Sequence, residues 1–145
     1  MSSKQISKWV WGIALCAVVH AVHAYDPYKL AKAAGMYLSA ADIQARFKNS
    51  KCGYAMKRVP PTIYERRDEI LKVLNANDAR EFNHYFNSSE FLRLLQSNQD
   101  FINQFMRNAV TDGLDRKTSC GMLAGAIGIS VKAANDAWNE ADKTP

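Results

Sequence analysis

Apolar positions along the chain recur at helical spacing almost from end to end, and alternating β-branched runs are absent. Asp26 followed by Pro27 reads as a helix start, a capping residue with proline at the first helical position. Leu30, Ala34, Tyr37 and Leu38 then lie on one face, and Ser39 is expected to cap a further segment carrying Ile43 and Phe47. Gly53 marks a break, and Pro60-Pro61 forces an extended stretch because neither proline nor the residue before it continues a helix. Thr62-Ile63-Tyr64-Glu65 has the spacing of a capping box, and the helix it opens carries Ile63, Ile70, Leu71 and Leu74. Asn75-Ala76-Asn77 ends that helix.

A short helix is expected from Asp78, with Phe82, Tyr85 and Phe86, interrupted at Asn87-Ser88-Ser89. Phe91, Leu92, Leu94 and Leu95 follow, with Asn98 expected to cap the next helix. That next segment has the clearest amphipathic pattern: Phe101, Ile102, Phe105, Met106, Ala109 and Val110. Gly113 is a helix stop, and residues 112–119 read as a polar turn. Met122, Leu123, Ala126 and Ile127 form another face that Gly128 is expected to end. Ser130 would then cap a last helix holding Val131, Ala134 and Trp138, with residues 142–145 frayed. The expectation is all-α: a single compact bundle of about five to seven short helices.

The first 24 residues follow a different rule. A polar start with Lys4 and Lys8 precedes the uncharged apolar run Trp9–Val19, about half the ~20 residues a membrane span needs. Val22 and Ala24 then stand at the −3 and −1 positions of a small-residue cleavage pattern, and Val19 and Ala21 offer a second such site. Residues 1–24 therefore read as a cleaved secretory signal and residues 25–145 as the helical domain. Periplasmic or extracellular localisation follows from that reading, with no transmembrane segment in the mature chain.

Composition changes meaning once those residues are set aside. Of the formal charge of +5, Lys4 and Lys8 account for two, leaving a mild +3 that does not point to nucleic acid. Cys16 leaves with the signal, so the even pair Cys52 and Cys120 remains, which an oxidising compartment would join. The bridge would tie the region around Cys52 to the Asp115-Arg116-Lys117 turn.

The charge distribution carries the functional expectation. Residues 48–67 hold Lys48, Lys51, Lys57, Arg58, Arg66 and Arg67 against Glu65 alone, interleaved with Tyr54 and Tyr64. Cations with aromatic neighbours on a pinned loop suit an acidic protein partner, an anionic envelope polymer or a lipid headgroup, and the acidic protein surface is the expected one. Lys51, Tyr54, Lys57, Arg58, Arg66 and Arg67 are the expected contacts, and the expected role is non-catalytic: an inhibitor, immunity or accessory protein. The competing interpretation of this stretch is a solvated face that aids solubility.

Two rival functions make different demands. A carrier of a small apolar ligand needs a cavity among Phe82, Phe86, Phe101 and Phe105. A small hydrolase of envelope polymers needs two facing carboxylates, at least one with a raised pKa; Asp112 with Asp115, and Glu65 with Asp68 and Glu69, are the pairs at hand. Glu81 and His84 have the spacing of a helical metal-ligand pair, but a single copy falls short of a ligand set, and His84 is the one histidine after residue 24. No metal, cofactor or catalytic residue is expected. Residues 123–134 imitate a DNA-binding helix-turn-helix, yet Asp136, Glu140 and Asp142 would repel phosphates, so two helices crossing at Gly128 is the better expectation. Asn87-Ser88-Ser89 matches a glycosylation acceptor, which matters in a eukaryote only.

Overall fold

The structure, a computed structural model, describes residues 26–142. The expected signal peptide and cleavage sites, and the last three residues of the tail, lie outside them. Among the described residues there are five α-helices and no strand: α1 (Pro27–Lys48), α2 (Ile63–Val73), α3 (Ala76–Phe86), α4 (Ser89–Thr111) and α5 (Arg116–Ala141). A 3-10 turn, Gly53–Ala55, lies between α1 and α2. The all-α expectation holds.

Local start signals act as the sequence suggests. The Asp26 carboxylate accepts the Tyr28 N–H with Pro27 in the first turn, and Thr62 and Glu65 form a complete capping box. Asn75, rather than a residue nearer Asp78, caps α3, and Ser88 caps α4. Gly113 follows α4 with φ 72°, a left-handed conformation in which glycine carries no Cβ penalty.

Three expected breaks do not occur, so α1, α4 and α5 are long. Ser39 is buried inside α1, where its hydroxyl bonds Asn98 of α4 instead of capping a helix. Asn98 lies inside α4 for the same reason: its amide donates to Ser39 O at 3.0 Å, Ser39 Oγ at 3.0 Å and Asp42 Oδ2 at 2.9 Å. Gly128 keeps a helical φ within α5, and the Ser130 hydroxyl donates back to Ala126 O at 3.2 Å. One continuous helix thus replaces both the helix-turn-helix and the glycine crossing. An internal glycine costs up to ~1 kcal/mol. Burying Leu123, Ile127, Ala134 and Trp138 on the same helix returns more, at ~1.5–3 kcal/mol for each large side chain.

α1 is the central element, and every other helix packs on it. At its first half, Ala31, Ala34 and Leu38 join Ile70, Phe82, Tyr85, Phe91 and Trp138. At its second half, Ile43 and Phe47 join Cys52, Ile102, Cys120, Leu123 and Ile127. The small residues of α1 allow close approach: a Cβ on Gly35 would run into the Tyr85 ring. Cys52 and Cys120 form the expected disulfide inside the second cluster, with Cα atoms 5.2 Å apart. Closing a loop over a separation of 68 residues stabilises the fold by about 4 kcal/mol on the loop-entropy model.

Candidate functional site

The segment between α1 and α2 is built from its base outward. The Ser50 hydroxyl donates to Phe47 O at 2.6 Å and accepts the Cys52 N–H at 3.1 Å, turning the chain off the end of α1. Lys48 then reaches across the turn, its Nζ donating to Gly53 O at 3.2 Å and Met56 O at 2.6 Å. Gly53 is obligatory here, because a Cβ would collide with the Lys48 carbonyl. Beneath the turn, Cys52 is bonded to Cys120 of α5, and its sulfur lies 3.9 Å from Met106 Sδ of α4. Lys48 is therefore a structural clamp, with its charge spent on two carbonyls.

On this clamped base Lys51, Tyr54, Lys57 and Arg58 are all exposed, Tyr54 to 61%. Val59, 84% exposed, and Tyr64, 68% exposed, extend the same stretch toward α2. Among the described residues the ion pairs are Lys32–Glu90, Arg46–Asp42, Arg66–Glu69 and Lys132–Asp136, so Lys51, Lys57 and Arg58 have no carboxylate partner within the fold. Four of the six expected contacts share one rigidly based, cationic loop.

Arg66 and Arg67 are placed differently. The Arg66 guanidinium lies 4.7 Å from the centre of the Tyr37 ring, contacts the Tyr37 hydroxyl and pairs with Glu69 at 2.8 Å. Tyr37 in turn stacks on Trp138, with ring centres 5.9 Å apart. Arg67 donates to Asn83 Oδ1 at 3.1 Å, stacks over Phe86 at 5.0 Å, and buries its Nε without a hydrogen-bond partner. These two arginines hold α2 against α1 and α3. Charge alone could not separate them from the loop cations; the rings they stack on come from other helices.

Of the carboxylates offered for hydrolysis, Glu65, Glu69 and Asp115 are engaged by neighbouring groups. Glu65, Asp68 and Glu69 share a depression with Pro60, Pro61 and Lys72. The backbone N–H and hydroxyl of Thr62 hold the Glu65 carboxyl below its usual range, and Glu69 is paired with Arg66. Asp115 caps α5, and the Thr118 hydroxyl and N–H likewise lower its pKa. A proton donor for glycoside cleavage needs the opposite shift. Glu81 and His84 are exposed on α3, and among the described residues no group of three or more His, Cys, Asp or Glu is arranged to hold a metal ion. Asn87 is exposed just after α3, its amide donating to Asn83 O at 2.7 Å.

The four phenylalanines of the carrier expectation do not line one space. Phe82 and Phe86 pack with Tyr85 and Phe91 in the first cluster, whereas Phe105 packs on the second. Phe101 instead borders a groove of about 230 Å³ between α1, α4 and α5, with Met36, Ala40 and Ile43. The polar groups of that groove are spent internally: Ser39 and Asn98 on each other, Ser97 on Leu94 O, Ser130 on Ala126 O.

Among the described residues no helix is long and apolar enough to cross a membrane. Neither protein-family models, nor curated proteins, nor solved structures include a match to this chain.

Proposed function

We propose that this chain is a non-catalytic binding protein that recognises an acidic surface of a protein partner, as an inhibitor, immunity or accessory factor. It works in the periplasm or outside the cell after removal of residues 1–24. One observation carries the proposal: Lys51, Lys57 and Arg58, with Tyr54 beside them, are displayed on a loop clamped by a disulfide and by Lys48, and have no ion-pair partner in the fold. A loop held in one conformation loses little entropy on binding, and exposed cations supply both steering and selectivity. The buried disulfide and the leader-like residues 1–24 are consistent with an oxidising compartment.

The test is charge reversal with the fold intact. Arg66 and Arg67 are unsuitable, since reversing them breaks the α2 packing described above. Lys57→Glu with Arg58→Glu alters exposed side chains only. Native mass spectrometry of the protein isolated from its own host without reductant should show an added protein mass for the wild type. The double variant should lose that mass while keeping its helical circular dichroism. A wild-type monomer, or a complex indifferent to the reversal, would overturn the proposal.

A further inference from the structure

Two further cations, on α5, lie close in the chain to the cysteine that anchors this loop. Arg116 and Lys117 lie four and three residues before Cys120, on the same face of α5 as the cysteine that bonds Cys52. The Cα atoms of Cys52 and Cys120 are 5.2 Å apart. One residue adds about 3.8 Å and three or four helical residues about 5–6 Å, so the Cα atoms of Lys51, Arg116 and Lys117 fall within about 15 Å of one another. The disulfide thus brings together charges separated by more than half of the described chain.

None of these cations forms an ion pair within the fold. Lys51, Lys57, Arg58, Arg116 and Lys117 are exposed, and the ion pairs of the fold lie elsewhere. Arg116 and Lys117 also occupy the first turn of α5, where the helix macrodipole is positive and cations are disfavoured. That turn contains no acidic residue, and the Asp115 carboxylate beside it is already bound to the Thr118 N–H and hydroxyl. Clustered like charges of this kind carry a repulsion that an incoming anion relieves. Leu114, partly exposed, and Tyr54 add apolar contact area at the margins.

We infer that the α1–α2 loop and the first turn of α5 form a single recognition surface for an acidic peptide segment of the partner. The inference rests on the proposed role of the loop and extends it to Arg116 and Lys117. A peptide is favoured over a membrane because the disulfide fixes the spacing of the two halves. A fluid anionic surface responds to local charge number and requires no such fixed geometry.

Fluorescence anisotropy of a labelled oligoglutamate peptide, titrated with the disulfide-intact full domain, tests this directly. Three double variants are compared: Arg116→Glu with Lys117→Glu, Lys57→Glu with Arg58→Glu, and Lys29→Glu with Arg93→Glu. The last pair is exposed near the starts of α1 and α4, with Lys29 at the far end of α1, about 30 Å from the disulfide end. The first two variants should each weaken binding roughly tenfold, and the distant pair less than twofold. Loss in the loop variant alone would overturn the composite surface and leave the loop as the binding element. Equal loss in all three would mean that net charge alone is read, overturning both. Failure of the wild type to bind oligoglutamate, or tighter binding to phosphatidylglycerol vesicles, would overturn the acidic-peptide partner.

Discussion

Replacing Gly121, Gly125 and Gly128 by alanine is expected to stabilise this protein. All three lie inside α5, none has a positive φ, and a Cβ built on any of them meets no heavy atom within 4 Å. Alanine therefore gains its helix propensity without steric cost. The gain is ~0.5–1 kcal/mol per site, or ~1.5–3 kcal/mol for the triple variant if the sites add. For a domain of this length that corresponds to a rise of roughly 5–12 °C in Tm. Urea unfolding of the single and triple variants, followed by circular dichroism at 222 nm, provides the measurement.

Gly35 and Gly53 supply the opposite sign within the same chain. A Cβ at Gly35 would strike the Tyr85 ring, and one at Gly53 would strike the Lys48 carbonyl, so alanine at either should destabilise. The decisive site is Gly128, because the local pattern places a helix stop there. If Gly128→Ala destabilises while Gly121→Ala and Gly125→Ala stabilise, then α5 is not continuous through 128. Destabilisation at all three would show that the exposed face of α5, with Met122 and Ile129, is covered in solution.

Two further outcomes are expected. Asn98→Ala removes the donor that satisfies Ser39 and Asp42 across the α1–α4 seam, and should cost about 1–3 kcal/mol in urea unfolding; a cost below about 0.5 kcal/mol would show that the seam is not dry. Glu65 and Asp115 have carboxyl pKa values lowered by the hydrogen bonds of Thr62 and Thr118. Their stabilisation is present above the unfolded carboxyl range, near pH 4, and is lost as pH falls through the lower folded values. Glu65→Gln with Asp115→Asn should flatten the acid limb of the stability–pH curve, and an unchanged limb would remove these caps from the account.

The sequence by itself determined the elements whose signals are local. Asp26-Pro27 and Thr62 to Glu65 start helices because capping is settled within one turn of chain. Gly113 ends α4 because its left-handed φ suits glycine, and the cysteine pair was readable because only one pairing exists after residue 24. The cationic loop from Lys51 to Arg58 was legible for a similar reason, since charge density is a property of the chain.

Only the tertiary structure decided whether Ser39, Asn98 and Gly128 end helices or lie within them. The same serine and asparagine side chains that cap a helix also bond across a buried seam, and local spacing does not distinguish the two uses. The choice falls to burial: a cap or a glycine is worth about 1 kcal/mol, whereas the apolar faces joined by a continuous helix are worth several. Burial also divided the arginines. Arg66 and Arg67 resemble Arg58 in sequence, but the rings of Tyr37 and Phe86 lie over their guanidinium groups, so their charge serves the fold while that of Arg58 faces solvent.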